Sequence, residues 1–312
     1  MSVFYAINDL PRFKNPVLTI GSFDGVHQGH QKIIRNVADT AKKVNGESIL
    51  ITFEPHPRKI IQPGQALGLL SSLEEKIERI TQEGIDHIVV VPFSRDFSMM
   101  SAEDYVLNFL YNTFLPHTII IGYDHHFGHN RSGNIGTLKE MLPAAVQVIE
   151  IEEQLIQEAD VSSTKIRKAI TKGNIAEATA MLGRTYGFEA VVVHGNKIGR
   201  TIGYPTANLQ PTYSDILIPG IGIYAVKVHY KDTVYQGMMS IGKRPTVTDD
   251  NIIAIEVNIL DFQQDIYGEK LYVEFIAYVR GEEKFDGLES LKAQIAQDEV
   301  DIRKLLSTDT PT

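Results

Sequence analysis

The stretch PVLTIGSFDGVHQGH occupies residues 16–30. Val17–Ile20 is a short apolar run rich in β-branched residues, the mark of a strand buried on both faces. Gly21 and Gly25 then break it. Beyond them Ile33, Ile34, Val37, Ala38 and Ala41 recur on one helical face, at spacings of three, four, seven and eight. A buried strand that turns at once into an amphipathic helix opens a strand–helix–strand unit. Such units build parallel sheets with helices packed on both faces.

The pattern continues outward. Ser48–Phe53, Ile88–Val91, Thr118–Ile121 and Val146–Ile151 read as further strands, while Ser101-Ala102-Glu103-Asp104 starts a helix with a cap residue and acids in its first turn. A helical pair follows, Thr164–Ala169 and Ile175–Leu182, separated by Gly173-Asn174. Beyond Gly183 the rhythm changes. Phe188–Val193, Ile223–Val228, Val234–Ile241, Ile252–Leu260 and Leu271–Val279 are rich in Val, Ile and Tyr, with turn residues between them. Tyr230-Lys231-Asp232-Thr233 is a hairpin-sized link, and strands without intervening helices predict an antiparallel barrel or sandwich. Leu288, Leu291, Ile295 and Ile302 mark a closing helix ahead of the polar tail Ser307–Thr312. Two domains are expected, 1–183 and 184–312, which suits a chain of 312 residues.

Composition bounds the partners. Hydrophobic residues make up 43% and charged residues 22%, enough to bury real cores. A net charge of -9 argues against a chain-wide basic surface for nucleic acid but leaves room for a local basic pocket that takes a phosphorylated small molecule. There is no cysteine, which excludes disulfides, thiolate metal sites and a cysteine nucleophile, and fits a reducing cytoplasm. MSVFYAINDLPRFKN carries Asp9 and Pro11 in place of a sustained apolar stretch, so no signal peptide is expected. No eighteen apolar residues run together, so no membrane span is expected either.

In a parallel α/β sheet, ligands bind at the carboxyl ends of the strands, and the first strand-to-helix turn is favoured. GSFDGVHQGH lies in that turn. Gly21 and Gly25 let backbone approach a ligand, and the following helix offers free N–H groups and a positive dipole end to an anion. His27 and His30, three apart in a first helical turn, fall on one face. Three readings stand: a tight turn with solvated histidines, a metal pair that wants a third ligand, or two imidazoles that donate to a phosphate.

Asp24 with His27-Gln28-Gly29-His30 resembles the H-x-G-H motif of nucleotidylyltransferases, whose histidines stabilise the α-phosphate of ATP. Ser162-Ser163-Thr164-Lys165-Ile166-Arg167 resembles the S-S-T-x-I-R segment that these enzymes place over the triphosphate. Ser163 and Thr164 can cap the next helix, and Arg167, one turn on, can fork onto phosphate oxygens. Gly122-Tyr123-Asp124-His125-His126-Phe127-Gly128, with Arg131-Ser132-Gly133-Asn134, resembles the G-x-D-F-x-F-G loop of prokaryotic FAD synthetases, with His125 where the family usually has phenylalanine. Thr52-Phe53-Glu54-Pro55-His56-Pro57 is similar to the same family's T-F-x-P-H-P stretch. The resemblance implies a Rossmann-like nucleotidylyltransferase domain, with Gly21, Phe23, Asp24, Gly25, Ser163 and Thr164 on the nucleotide and Asp124 and Phe127 on the flavin.

In the second half, His194 through Leu209 reads HGNKIGRTIGYPTANL. Its glycines do not match the P-loop spacing. The stretch resembles the riboflavin kinase pattern G-x-x-x-G-R-x-x-G-x-P-T-A-N. That resemblance implies a β-barrel kinase domain in which Gly195, Gly199 and Arg200 cover ATP, and Thr206 and Asn208 hold Mg²⁺ near the phosphates. It also implies that Glu256, in Ile255-Glu256-Val257-Asn258, accepts the proton of the riboflavin 5′-hydroxyl, and that Tyr224, in Gly222-Ile223-Tyr224, meets the flavin. Ser240 stands where asparagine is frequent before I-G-x-x-P-T.

Both resemblances, in this order, are those of the bifunctional prokaryotic riboflavin kinase/FAD synthetases. They imply a cytoplasmic transferase that makes FMN from riboflavin and then FAD from FMN, with ATP as co-substrate, Mg²⁺ as cofactor, and neither nucleic acid nor membrane as partner. A protein with one of the two activities, or a flavin sensor without turnover, is the alternative. The oligomeric state is left open.

Overall fold

Val17–Ile20 is buried along its whole length, as a central parallel strand must be. With it as β2, the strands are β1 (Ser2–Phe4), β3 (Ser48–Glu54), β4 (His87–Pro92), β5 (Thr118–Gly122) and β6 (Gln147–Ile151). A computed structural model of the protein describes residues 1–122, 125–151, 161–195, 203–243 and 253–307. It divides into two compact units, Met1–Ser163 and Thr164–Thr312.

In the first unit, all pairings are parallel and the order is β1-β4-β3-β2-β5-β6. The five strands read from the sequence are all present. β1, which extends the edge beside β4, was not foreseen. Alternate residues of each strand feed two cores, one on each face: Leu18, Ile20, Ile49 and Ile51 on one, Val17, Leu50, Ile88 and Val90 on the other. Helix Gln28–Lys43 covers the second core with Ile34, Val37, Ala38 and Ala41, while Ile33 is partly buried beside them.

Ser101 caps its helix as expected, accepting from Asp104 N–H. After Asp104 the helix widens into seven π-wound residues, Tyr105–Tyr111, a form rare outside functional regions. It ends at Leu115, whose φ of 46° is left-handed.

In the second unit, helices Ser163–Thr171 and Ile175–Leu182 flank the left-handed Gly173. The second of them packs on β7 (Tyr186–Val193) and β12 (Lys270–Arg280). With β8 (Ala207–Pro211), β9 (Gly222–Tyr230), β10 (Thr233–Lys243) and β11 (Ile253–Ile259), these strands close an antiparallel barrel in the order β10-β11-β8-β7-β12-β9. Closure leaves no sheet edge. The link Tyr230–Thr233 is the hairpin between β9 and β10, with left-handed Lys231 at its tip.

Helix Leu288–Ser307 is fastened to the barrel by Ile302, Leu306 and a buried ion pair. Arg280 donates from Nε and Nη2 to the two oxygens of Asp298 at 2.8 and 2.7 Å. Leu288, expected on the buried stripe, is exposed because the helix meets the barrel only beyond its first turns.

Candidate active sites

The strand order of the first unit reverses at β2, which has β3 on one side and β5 on the other. Ligands of such sheets sit beyond the carboxyl ends of the strands at that point. Two of the singled-out motifs leave the sheet there, GSFDGVHQGH after β2 and the loop after β5.

The first turn is wound tightly. Phe23, Gly25 and Val26 have φ of 48°, 78° and 41°. A β-branched residue at positive φ is strained, and neighbours must hold it there. Asp24 supplies much of that hold. Its Oδ1 accepts Leu70 N–H at 2.9 Å, and its backbone carbonyl accepts the Ser163 hydroxyl at 3.1 Å. Gly25 N–H donates to Ser71 Oγ at 3.3 Å. Asp24 is therefore buried as an organiser of the turn, and Ser163 is brought to the turn across the whole length of the unit. A side chain at Gly21 would press on the Phe23 ring.

His27 caps helix Gln28–Lys43, and its Nδ1 accepts His30 N–H at 3.3 Å. The two imidazoles stack with centroids 3.6 Å apart and planes 17° off parallel, and the Phe23 ring meets His30 edge-on at 5.1 Å. Burial, then the charges of His27 and Lys76, push the His30 pKa well below the ordinary histidine value, so this ring is neutral near pH 7. His30 Nδ1 is buried without a hydrogen-bond partner. Lys76, absent from the sequence reading, lies buried behind the turn.

Of the loop after β5, Asp124 lies outside the described residues. Phe127 is buried and lies flat on Tyr105 of the π-wound segment, 4.8 Å away and 15° off parallel. Gly128, with φ of 73°, sits so close to Ala102 that a Cβ would clash with its backbone, and His129 N–H donates to Met100 O at 2.7 Å. The loop is thus moored to the start of that helix. Thr164 and Arg167 belong to the second unit, Arg167 half-buried on helix Ser163–Thr171.

In the barrel, antiparallel register decides the neighbours. Glu256 on β11 lies opposite Asn208 on β8 and Ser240 on β10, and residues paired in this way share a face. Thr206 Oγ1 donates to Glu256 Oε2 at 3.0 Å, and Asn258 Nδ2 donates to Pro205 O at 2.7 Å. Gly195 packs so tightly on the Asn208 amide that a Cβ would lie 2.0 Å from Nδ2. Glu256, Thr206, Asn208 and Gly195 therefore form one cluster. A cavity of about 430 Å³ adjoins it, lined by Val192, Thr206, Val257, Ile259, Phe262 and Tyr267 among others.

Gly199 and Arg200 lie outside the described residues. Tyr224 does not join the cluster. It is fully buried, donates to Gly220 O at 2.5 Å, and meets Phe275 and Tyr278 edge-on in the barrel core.

Comparison with known proteins separates the same two regions. A family model described as FAD synthetase matches residues 10–165, and one described as riboflavin kinase matches residues 182–306. The bifunctional riboflavin kinase/FMN adenylyltransferase of Listeria monocytogenes is 38% identical over 290 residues, covering 93% of this chain and 92% of that protein. Its counterpart in Buchnera aphidicola from Acyrthosiphon pisum is 36% identical, covering 97% and 98%, and that of Escherichia coli K12 is 33% identical, covering 95% and 94%. A solved structure named a macrolide-efflux protein, from Streptococcus pneumoniae, superposes with a TM-score of 0.83 at 31% identity, covering 97% of this chain and 98% of that one. Among the described residues of this chain, no helix is long and apolar enough to cross a membrane. With both models matched and these relatives aligned over nearly all of its length, the chain belongs to the bifunctional riboflavin kinase/FMN adenylyltransferase family.

Proposed function

We infer that this chain phosphorylates riboflavin to FMN with ATP and then adenylylates FMN with a second ATP, giving FAD and pyrophosphate. The observation that carries the reading is the division of the matches. The FAD synthetase model falls on the α/β unit and the riboflavin kinase model on the barrel. As functional halves we propose 1–183 and 184–312, with the helical pair contributing Thr164 and Arg167 to the first.

In the barrel, Glu256 is the proposed base. The Thr206 hydroxyl donates to one carboxylate oxygen and so orients the other towards the riboflavin 5′-hydroxyl. As that proton leaves, the alkoxide oxygen attacks the γ-phosphorus of ATP and ADP departs. A hydroxyl that gives its hydrogen to Glu256 keeps its lone pairs, so Thr206 and the Asn208 amide offer hard oxygens that suit Mg²⁺. When bound, Mg²⁺ neutralises charge on the phosphates. The adjoining cavity is the proposed seat of a substrate ring system, with Gly195, Gly199 and Arg200 over the ATP.

In the α/β unit, the nucleophile is the FMN phosphate, which is already anionic. Its oxygen attacks the α-phosphorus of ATP and pyrophosphate leaves, so this unit needs charge stabilisation and positioning in place of a base. The bond from His30 N–H occupies His27 Nδ1 as an acceptor and leaves Nε2 as the ring nitrogen that donates. His27 and His30 then act as hydrogen-bond donors to the α-phosphate, on the turn shaped by Gly21, Phe23, Asp24 and Gly25. Ser163, Thr164 and Arg167 serve the remaining phosphates, and Asp124 and Phe127 serve the flavin. Tyr224 supports its own unit through packing. Small molecules are the partners, and a chain without cysteine that consumes ATP fits the cytoplasm.

Incubation with riboflavin, ATP and Mg²⁺, followed by chromatographic separation of the flavins, tests both steps. FMN appears first and FAD after it. Recovery of riboflavin alone sinks both activities, and FMN without FAD sinks the second.

A further inference from the structure

Among the described residues, one lysine is buried: Lys76, on helix Leu73–Gln82, is 6% exposed. Burying an ammonium is costly unless each of its three protons finds an acceptor. Here each does. Nζ donates to Thr52 Oγ1 at 3.2 Å, to Ser22 O at 3.3 Å and to Phe53 O at 3.4 Å. The Thr52 hydroxyl in turn donates to Ser22 O at 3.1 Å, closing a small ring of contacts.

These oxygens lie where two adjacent strands leave the sheet. Ser22 follows β2 and opens the turn that leads to His27 and His30, and Thr52 and Phe53 end β3. Burial lowers the Lys76 pKa, and the nearby charges of Glu54 and Asp24 oppose that shift. Its charge also adds to burial and to the charge of His27 in holding the His30 pKa below the ordinary histidine value. The helix that carries it is fixed by a capping box between Ser72 and Glu75, directly after Leu70 and Ser71, which bind Asp24 and Gly25. The lysine is thus held from behind and grips from the front.

We propose that Lys76 is a positioning residue for adenylyl transfer: its buried ammonium ties the exit of β2 to the exit of β3 and so sets where His27 and His30 face the α-phosphate of ATP. This rests on the reading of those histidines as the phosphate site, and the test separates the two.

Full-length Lys76→Met, Lys76→Arg, Thr52→Val and His30→Ala proteins are assayed for FMN-to-FAD and for riboflavin-to-FMN conversion. The His30 ring is titrated by NMR. Lys76→Met is expected to lower kcat for FAD formation by about 100-fold, the scale of a misplaced reacting geometry, with KM for ATP changed far less. Riboflavin phosphorylation stays within about twofold, because its groups lie in the other unit. The pKa of His30 rises once the neighbouring charge is gone. Lys76→Arg, which keeps charge and donors, recovers part of the loss, and Thr52→Val loses roughly tenfold through one missing contact.

If His30→Ala abolishes FAD formation while Lys76→Met retains it, the proposal is overturned and the phosphate site stands. If His30→Ala retains FAD formation, the phosphate-site reading itself fails. A purely structural lysine would lower the melting temperature yet leave kcat for FAD formation by the folded protein unchanged, and that result also overturns the proposal. Should Lys76→Met fail to fold, Thr52→Val decides, and an unchanged kcat rejects the role.

Discussion

In the α/β unit, His27 and His30 stand on a turn and a helix start beyond the carboxyl end of β2, whereas in the barrel Glu256 and Asn208 stand on adjacent strands, paired across β11 and β8. The turn has no ladder to hold it. Its shape comes from Leu70, Ser71, Lys76 and Ser163, contributed from far along the chain. The barrel cluster is placed by strand register, which fixes neighbours residue by residue. A site of the first kind is sensitive to residues that never touch substrate. One of the second kind should answer mainly to the reacting side chains themselves.

The sharpest way to break this contrast is Glu256→Gln. It keeps the acceptor for Thr206 but removes the base, so riboflavin phosphorylation should fall by roughly 10³–10⁴ while conversion of supplied FMN to FAD continues. Retention of more than a tenth of the kinase rate would remove Glu256 from the role of base. His30→Ala should do the reverse, lowering FAD formation by about 10²–10³ with phosphorylation intact. Loss of both activities in a folded protein would mean that the two sites are not separate.

Arg280→Met probes the barrel's dependence on its last helix. It leaves Asp298, 2% exposed, without its guanidinium and should cost about 3 kcal/mol in urea unfolding. The transition of the α/β unit should stay where it was.

The smallest effect is one of pH. His30 has a folded pKa below its unfolded value of 6.5, so between the two the unfolded chain binds more protons. Stability therefore rises with pH through that interval, and it is lost as pH falls from 6.5 towards the folded value, by at most about 1.4 kcal/mol per pH unit. His30→Asn should flatten this slope in melting curves of the α/β unit.

The places of both candidate sites in the fold were legible because motif and periodicity coincide there. Val17–Ile20 is a strand with the bounds its sequence announces, and the turn after it falls at the reversal of strand order. β8 was not legible. Its five residues, Ala207–Pro211, follow Gly203-Tyr204-Pro205 and resemble loop, and only pairing with β7 and β11 makes them a strand. Lys76 was hidden for a related reason. In LEEKIERI a lysine ordinarily faces water, and only the convergence of two strand ends offers its ammonium three oxygens. The π-wound segment Tyr105–Tyr111 carries no pattern distinct from an ordinary helix, and its stacking on Phe127 is a tertiary fact. Tyr224 shows what a motif leaves out: its ring and hydroxyl are engaged inside the barrel, a tertiary fact that no local pattern carries.

The closed ring of strands has a consequence for how the molecule is made. Its first strand, β7, pairs with its last, β12, Tyr186 facing Phe275. During synthesis the parallel sheet has all its strands once Ile151 has emerged, and the α/β unit can fold as its own body. The barrel must wait. Until β12 leaves the ribosome, one side of β7 is an open edge of the kind that invites pairing with other chains. The kinase half is therefore the slower to mature and the more exposed to aggregation, and a chaperone that shields β7 over that interval would raise the yield of the whole enzyme.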